Sequence, residues 1–202
     1  MPHGSKKYRD LTRALEDIQK HLLYFLPQPP ISKTTYTKQE LDLTRAYIVL
    51  AHAEVEAFCE ELTIEKARRA AKEFQAGGTV SPVLRKLIAY YVAKDRRSWS
   101  EVLKPSADVI ERACNSYYST VHDNNGIRRQ NLEKLLYPLG VHEAALDATW
   151  LAQMDSFGVN RGGWAHKSIR ALNPPDPQTE VTNVAHLLQG LLKMDRVLSR
   201  KR

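Results

Sequence analysis

Residues 37–75 contain neither glycine nor proline, and that stretch constrains the fold more than any other. Apolar side chains recur through it at three- and four-residue steps, so the spacing predicts one long helix. Gly77-Gly78 closes it. At 100° per residue, Leu43, Tyr47, Ile48, Leu50, Ala51, Val55, Phe58, Cys59 and Leu62 fall on one broad arc. A helix of that kind needs other helices packed along it. The remainder of the chain has no strand-period segment of useful length and no internal repeat. The expected fold class is all-α, a helical bundle with additional N-terminal and peripheral helices.

The other helices follow from their periodicity and their breakers. Tyr8, Leu11, Leu15, Ile18, Leu22 and Phe25 make residues 5–26 amphipathic, and Pro27, Pro29 and Pro30 stop them. Ser81 and Pro82 open a third helix, as N-cap and first helical residue. Further helices are expected over 106–122, 127–137, 142–157 and 178–198, the last opened by Asp176 and Pro177. The segment 95–104 is polar and irregular, with Trp99 as an anchor for that loop. Two units result: residues 1–36, an N-terminal helix and Pro-rich linker packed on the core, and residues 37–202, the main helical domain.

Composition narrows the function classes. No apolar run approaches a membrane span, and the first residues lack the apolar core of a signal peptide. Cys59 and Cys114 are too few for a zinc site or a disulfide framework and sit at apolar helical positions, which fits core packing and a cytoplasmic setting. No metal site and no cofactor is expected. The net charge is +7, with clusters at Lys6-Lys7-Arg9, Arg68-Arg69-Lys72, Arg128-Arg129 and Arg200-Lys201-Arg202. That balance points to a polyanionic partner such as RNA, or to a solvated basic surface.

One short stretch carries candidate chemistry. Arg-x4–6-His pairs occur twice, at Arg45/His52 and Arg161/His166, about as often as chance supplies them, so context decides. Arg45 and His52 lie inside the long helix. Arg161 and His166 straddle Gly162-Gly163, where the preceding helix is expected to have ended and a loop can turn both side chains toward one pocket. Histidine titrates near neutral pH and can remove a proton from a ribose 2′-OH. Arginine stays charged and offers a planar fork to the phosphorane. Trp164 stacks on a base or packs over the loop. Glu54 falls inside the apolar arc and Glu56 outside it, so Glu54 is either a structural ion-pair partner or the group that orients a catalytic residue.

The order of these pieces resembles a HEPN domain, specifically the RiboL-PSP-HEPN branch, over about residues 41–198. The resemblance is carried by the helix Leu43-Thr-Arg-Ala-Tyr-Ile-Val-Leu-Ala-His-Ala-Glu-Val-Glu-Ala-Phe58, by Asn125-Gly-Ile-Arg-Arg-Gln-Asn-Leu-Glu-Lys-Leu-Leu-Tyr-Pro-Leu-Gly140, and by Arg161-Gly-Gly-Trp-Ala-His166. It implies a HEPN-type bundle over 37–202 and a homodimer whose two Arg/His loops form one cleft. It implies metal-independent endoribonuclease activity through 2′-OH attack, often in a toxin, an RNA-processing factor or an antiphage effector, with an antitoxin or regulatory protein as a further partner. Arg161 and His166 carry over as active-site residues. Glu54 or Glu56 matches the acid of the first core helix, and the arc prefers Glu54. Many active relatives have Asn, Asp or His after the arginine. Here Gly162 stands there, and Asn160, before the arginine, is the polar substitute. The alternative from a different class is a catalytically silent HEPN module that binds RNA or a partner protein.

Overall fold

The computed structural model describes residues 4–26, 35–92, 104–166 and 173–199, with the backbone alone at Glu143 and at residues 164–166. Seven α-helices and no strand occur among the described residues. They are α1 (Lys6–Leu22), α2 (Lys38–Gly77), α3 (Pro82–Tyr91), α4 (Ala107–His122), α5 (Arg129–Leu136), α6 (Ala148–His166) and α7 (Pro177–Ser199). The fold is all-α, and no described helix is long and apolar enough to cross a membrane.

The centre is α2, 40 residues long and hence about 60 Å from end to end. Its start is fixed locally. Thr37 accepts from the Glu40 backbone N–H while the Glu40 carboxylate accepts from Thr37 N–H, a reciprocal cap. Its end is a left-handed Gly78 at φ 68°, the conformation that glycine adopts without a Cβ clash. Helices α1 and α7 pack along it, α6 crosses it further on, and α3, α4 and α5 close the remaining side. Tyr47, Ile48, Val55, Leu62, Tyr117, Leu132, Met154 and Leu191 belong to one continuous core.

Being flanked in this way displaces the buried arc of α2 from the one the apolar residues predict. Leu50 is 46% exposed, whereas Thr44, His52 and Thr63 are buried. Leu43 and Leu50 pulled the expected arc toward one edge, because the pattern counts apolarity and cannot see polar side chains that neighbouring helices cover. The true buried face runs from Tyr47 through Val55 to His52 and Thr63. Glu54 and Glu56, two positions and thus roughly 160° apart around the axis, sit on its opposite edges.

Helix α1 docks by polar ties at both sides. Ser5 N–H donates to the buried Asp195 carboxylate at 2.8 Å, Tyr8 Oη donates to Leu188 O at 3.1 Å, and Lys7 meets Glu61 at 2.7 Å. Both cysteines are buried and free. In α7, Gly190 lets the Trp150 indole lie on the helix backbone, since a Cβ there would stand 2.2 Å from the ring. Trp150 Nε1 donates to Leu187 O at 3.1 Å, which locks α6 against α7.

Helix α6 departs most from expectation. It was expected over 142–157, followed by a loop through 162–163. Instead a short 3-10 turn occupies Glu143–Ala145 and the helix runs from Ala148 to His166. Asp147 caps it, its carboxylate accepting from the N–H groups of Thr149 and Trp150 at 2.9 and 3.2 Å. Two glycines cost a helix about 1 kcal/mol each. The buried Phe157, on the same helix face as Arg161, and the polar tie of Asp155 to α5 hold the backbone helical past them. Trp99 and residues 167–172 lie outside the described residues.

Candidate functional site

Arg161 sits on the last turns of α6, half-buried. It lies one turn beyond Phe157, whose ring stacks on the imidazole of His52 at 6.3 Å between centroids and 17° between planes. The Arg161 charge reaches His52: burial first, and then the guanidinium, push the His52 pKa down from 6.5 to about 4. His52 is therefore neutral at pH 7. It is 1% exposed, and its Nδ1 has no hydrogen-bond partner among the described residues. The Glu56 carboxylate lies 3.6 Å from that nitrogen, too far for a hydrogen bond.

Glu56 is held from the other side. It accepts a short hydrogen bond from Gly126 N–H. The same loop is tied again one turn along α2, where Asn124 Nδ2 donates to Glu60 at 2.8 Å and Asn131 Nδ2 donates to Asn124 Oδ1 at 3.2 Å. Burial raises the Glu60 pKa and the Asn124 hydrogen bond pulls it back in part. Gly126 has φ 126°, a conformation few other residues adopt. These bonds seat the loop before α5 against the core helix. At the start of α5, Arg129 N–H donates to Asp155 at 2.8 Å, and Arg128 Nε stands 3.6 Å from the same carboxylate. The Arg128 side chain passes over α6 at Gly158, where a Cβ would stand 2.8 Å from it. Arg128, one of the basic cluster Arg128-Arg129, thus lies about one helical turn from Arg161 along α6.

Arg161 Nε is buried and has no hydrogen-bond partner among the described residues. Unsatisfied buried donors are uncommon and call for a reason. Beside Arg161, a Cβ at Gly162 would meet nothing within 4 Å among the described residues. His166 is the last residue of α6, and its side chain lies outside the described residues. Because the helix is unbroken, positions 161 and 166 are about 140° apart around the axis and about 7.5 Å along it. The turn that was expected to bring the pair together is absent.

Asn160 is exposed and lines a groove between α6 and α7. It lines that groove together with Phe157, about 60° around the axis from it. Glu54 lines a different groove, between α2 and α1, with Lys7, Asp10 and Glu61. The acid of α2 that neighbours the Arg161 surroundings is Glu56, against the preference of the arc. His52 was set aside for its place inside the long helix, and Glu56 was the less favoured of the two acids, although a signal for both existed. Arg45/His52 was the second Arg/His pair, and Glu56 follows His52 at helical spacing. No group of three or more His, Cys, Asp or Glu able to hold a metal ion occurs among the described residues.

These features define an all-α domain with a cation near the end of one helix whose charge reaches a buried histidine of the central helix. The chain belongs to the RiboL-PSP-HEPN family, whose model matches residues 9–191. No match was found among curated proteins or solved structures.

Proposed function

We propose that this chain is a metal-independent endoribonuclease of HEPN type, acting on RNA as a homodimer. The observation that supports the reading best is Arg161: its guanidinium has a buried donor with no protein partner among the described residues, within an Arg-x4-His spacing of a chain that belongs to this family. A phosphate oxygen would satisfy that donor by a charge-assisted bond.

In this reading His166 removes the proton of the ribose 2′-OH, and the oxygen attacks the adjacent phosphorus. Arg161 stabilises the charge that develops on the phosphorane, and the 5′-oxygen leaves, giving a 2′,3′-cyclic phosphate. His52 does not take the base role, because at a pKa of about 4 it is a weak base and its Nδ1 is buried. It serves instead as a neutral seat for Arg161. A second protomer supplies the groups that one straight helix end cannot converge. Asn160 contributes a neutral polar group at the rim, and Glu54 acts away from the reacting atoms. The chain would serve as a toxin or antiphage effector, restrained by an antitoxin or regulatory protein in the cytoplasm.

The test compares an RNA with a DNA of the same sequence in excess EDTA. The reading expects cleavage of RNA alone, with 2′,3′-cyclic phosphate ends. RNA that is bound in a salt-dependent way and left intact would replace it with the silent binding module, a reading that Gly162 in place of a polar residue favours.

A further inference from the structure

The groove between α6 and α7 differs in chemistry from the rest of the basic surface. It has a volume of about 330 Å³, at the lower end of the range for small-molecule sites, about 300–1,000 Å³. Its floor is apolar, from Phe157 and Leu187, and its walls carry three amides, Gln153 and Asn160 on α6 and Asn183 on α7, with His186 beside them. Among the described residues that line it, none is a lysine, arginine, aspartate or glutamate. Gln153, Asn160 and His186 make no side-chain hydrogen bond among the described residues. Asn183 is held in place, its Nδ2 donating to Glu180 at 3.3 Å, which leaves its carbonyl oxygen to accept.

We propose that this groove is a binding subsite for one unpaired nucleobase of the RNA, next to the phosphate held at Arg161. The inference rests on the nuclease or RNA-binding reading of Arg161. A neutral pocket with an apolar floor suits the uncharged, flat part of a nucleotide and not its phosphate. Amide side chains offer a donor and an acceptor side by side, which is the pattern on base edges, and unpaired bases in single-stranded RNA expose those edges. Asn160 and Arg161 are consecutive on α6, so a base in the groove and a phosphate at the guanidinium belong to neighbouring parts of one strand. At the far end the groove continues into a cleft that shares Thr149, Gln153 and His186 and ends at Lys193, which is paired with Asp147 at 3.6 Å.

The test uses 2′-O-methyl homo-oligomers of A, C, G and U, which cannot be cut by 2′-OH attack, and measures binding by fluorescence anisotropy at one salt concentration. The wild type is compared with a Gln153→Ala/Asn183→Ala double variant and with Ala152→Phe, which plugs the groove from an exposed position. The wild type is expected to prefer one base by about fivefold or more, the lower end of what a bidentate base contact supplies, and both variants are expected to level that preference. Equal binding of all four oligomers by the wild type would overturn the subsite. So would a preference that survives both variants. Variants that alter the sedimentation coefficient and leave the preference intact would overturn it in favour of an interface between two copies. Because the oligomers are uncut by design, the outcome is independent of whether the chain cleaves RNA.

Discussion

Lowering the pH should destabilise this fold through one residue, His52. In the folded chain its pKa is held at about 4, against 6.5 for an ordinary histidine. The unfolded chain therefore takes up the proton first. Stability from this group is complete above pH 6.5, falls by about 1.4 kcal/mol per pH unit below it, and levels off near pH 4, so the loss is on the order of 3 kcal/mol. Glu56, 3.6 Å away, reduces that loss if it closes on the imidazolium. Glu60 and Glu180, whose pKa values burial raises, act in the opposite sense, because a folded carboxyl that binds its proton early gains stability as pH falls. Comparison with His52→Gln removes these background terms. Urea unfolding at half-unit steps from pH 7.5 to 4 should show the wild type losing about 2–3 kcal/mol more than the variant between pH 6.5 and 4. Arg161→Met should shrink that excess, since the guanidinium is the second cause of the depression. Parallel profiles for wild type and His52→Gln would refute a buried neutral histidine beneath Arg161.

Four further substitutions probe the packing. Gly190→Ala places a Cβ about where the Trp150 ring lies and should cost about 1–3 kcal/mol in urea unfolding; a neutral result would mean that the indole does not rest on α7. A Cβ at Gly162 would meet nothing within 4 Å among the described residues, in a helix, so Gly162→Ala should raise stability by up to about 1 kcal/mol, read as a higher midpoint of thermal unfolding. A lower midpoint would mean that α6 ends before residue 162. Glu56→Ala leaves the Gly126 N–H without its acceptor and should cost about 1–3 kcal/mol. Glu54→Ala, at a side chain with no hydrogen bond among the described residues, should stay within about 0.5 kcal/mol, and the reverse order would restore the arc's assignment.

The fold was largely legible because its signals are local. Thr37, Ser81, Ser106 and Asp176 each cap the helix that follows them, and Gly78 ends the longest one. The site was less legible, for two physical reasons. A glycine pair reads as a break when only propensity is counted. In α6 the buried Phe157 and the Asp155 tie to α5 outweigh that cost, and such tertiary contacts leave no trace in local spacing. The second reason is that an apolar arc cannot register a polar residue buried by its surroundings. His52 and Thr44 are inside the core, while Leu50, which the pattern placed there, is half exposed. That shift of the arc is why it favours Glu54 over Glu56, the acid that lies beside His52. Arg161 itself was found from its motif, whereas its seat on His52 and the amide groove beside Asn160 exist only through the crossing of α2, α6 and α7.

The central claim is that Arg161 and His166 cut RNA without a metal. The direct measurement is cleavage of an end-labelled mixed-sequence RNA in excess EDTA by wild type, Arg161→Ala and His166→Ala, with all three shown to be folded by circular dichroism. The account predicts cleavage by the wild type and a loss of at least about a hundredfold in each variant, the lower range for removing a general base or a charge-stabilising donor. Cleavage that persists undiminished in His166→Ala, or an intact RNA bound equally by all three proteins, would contradict it.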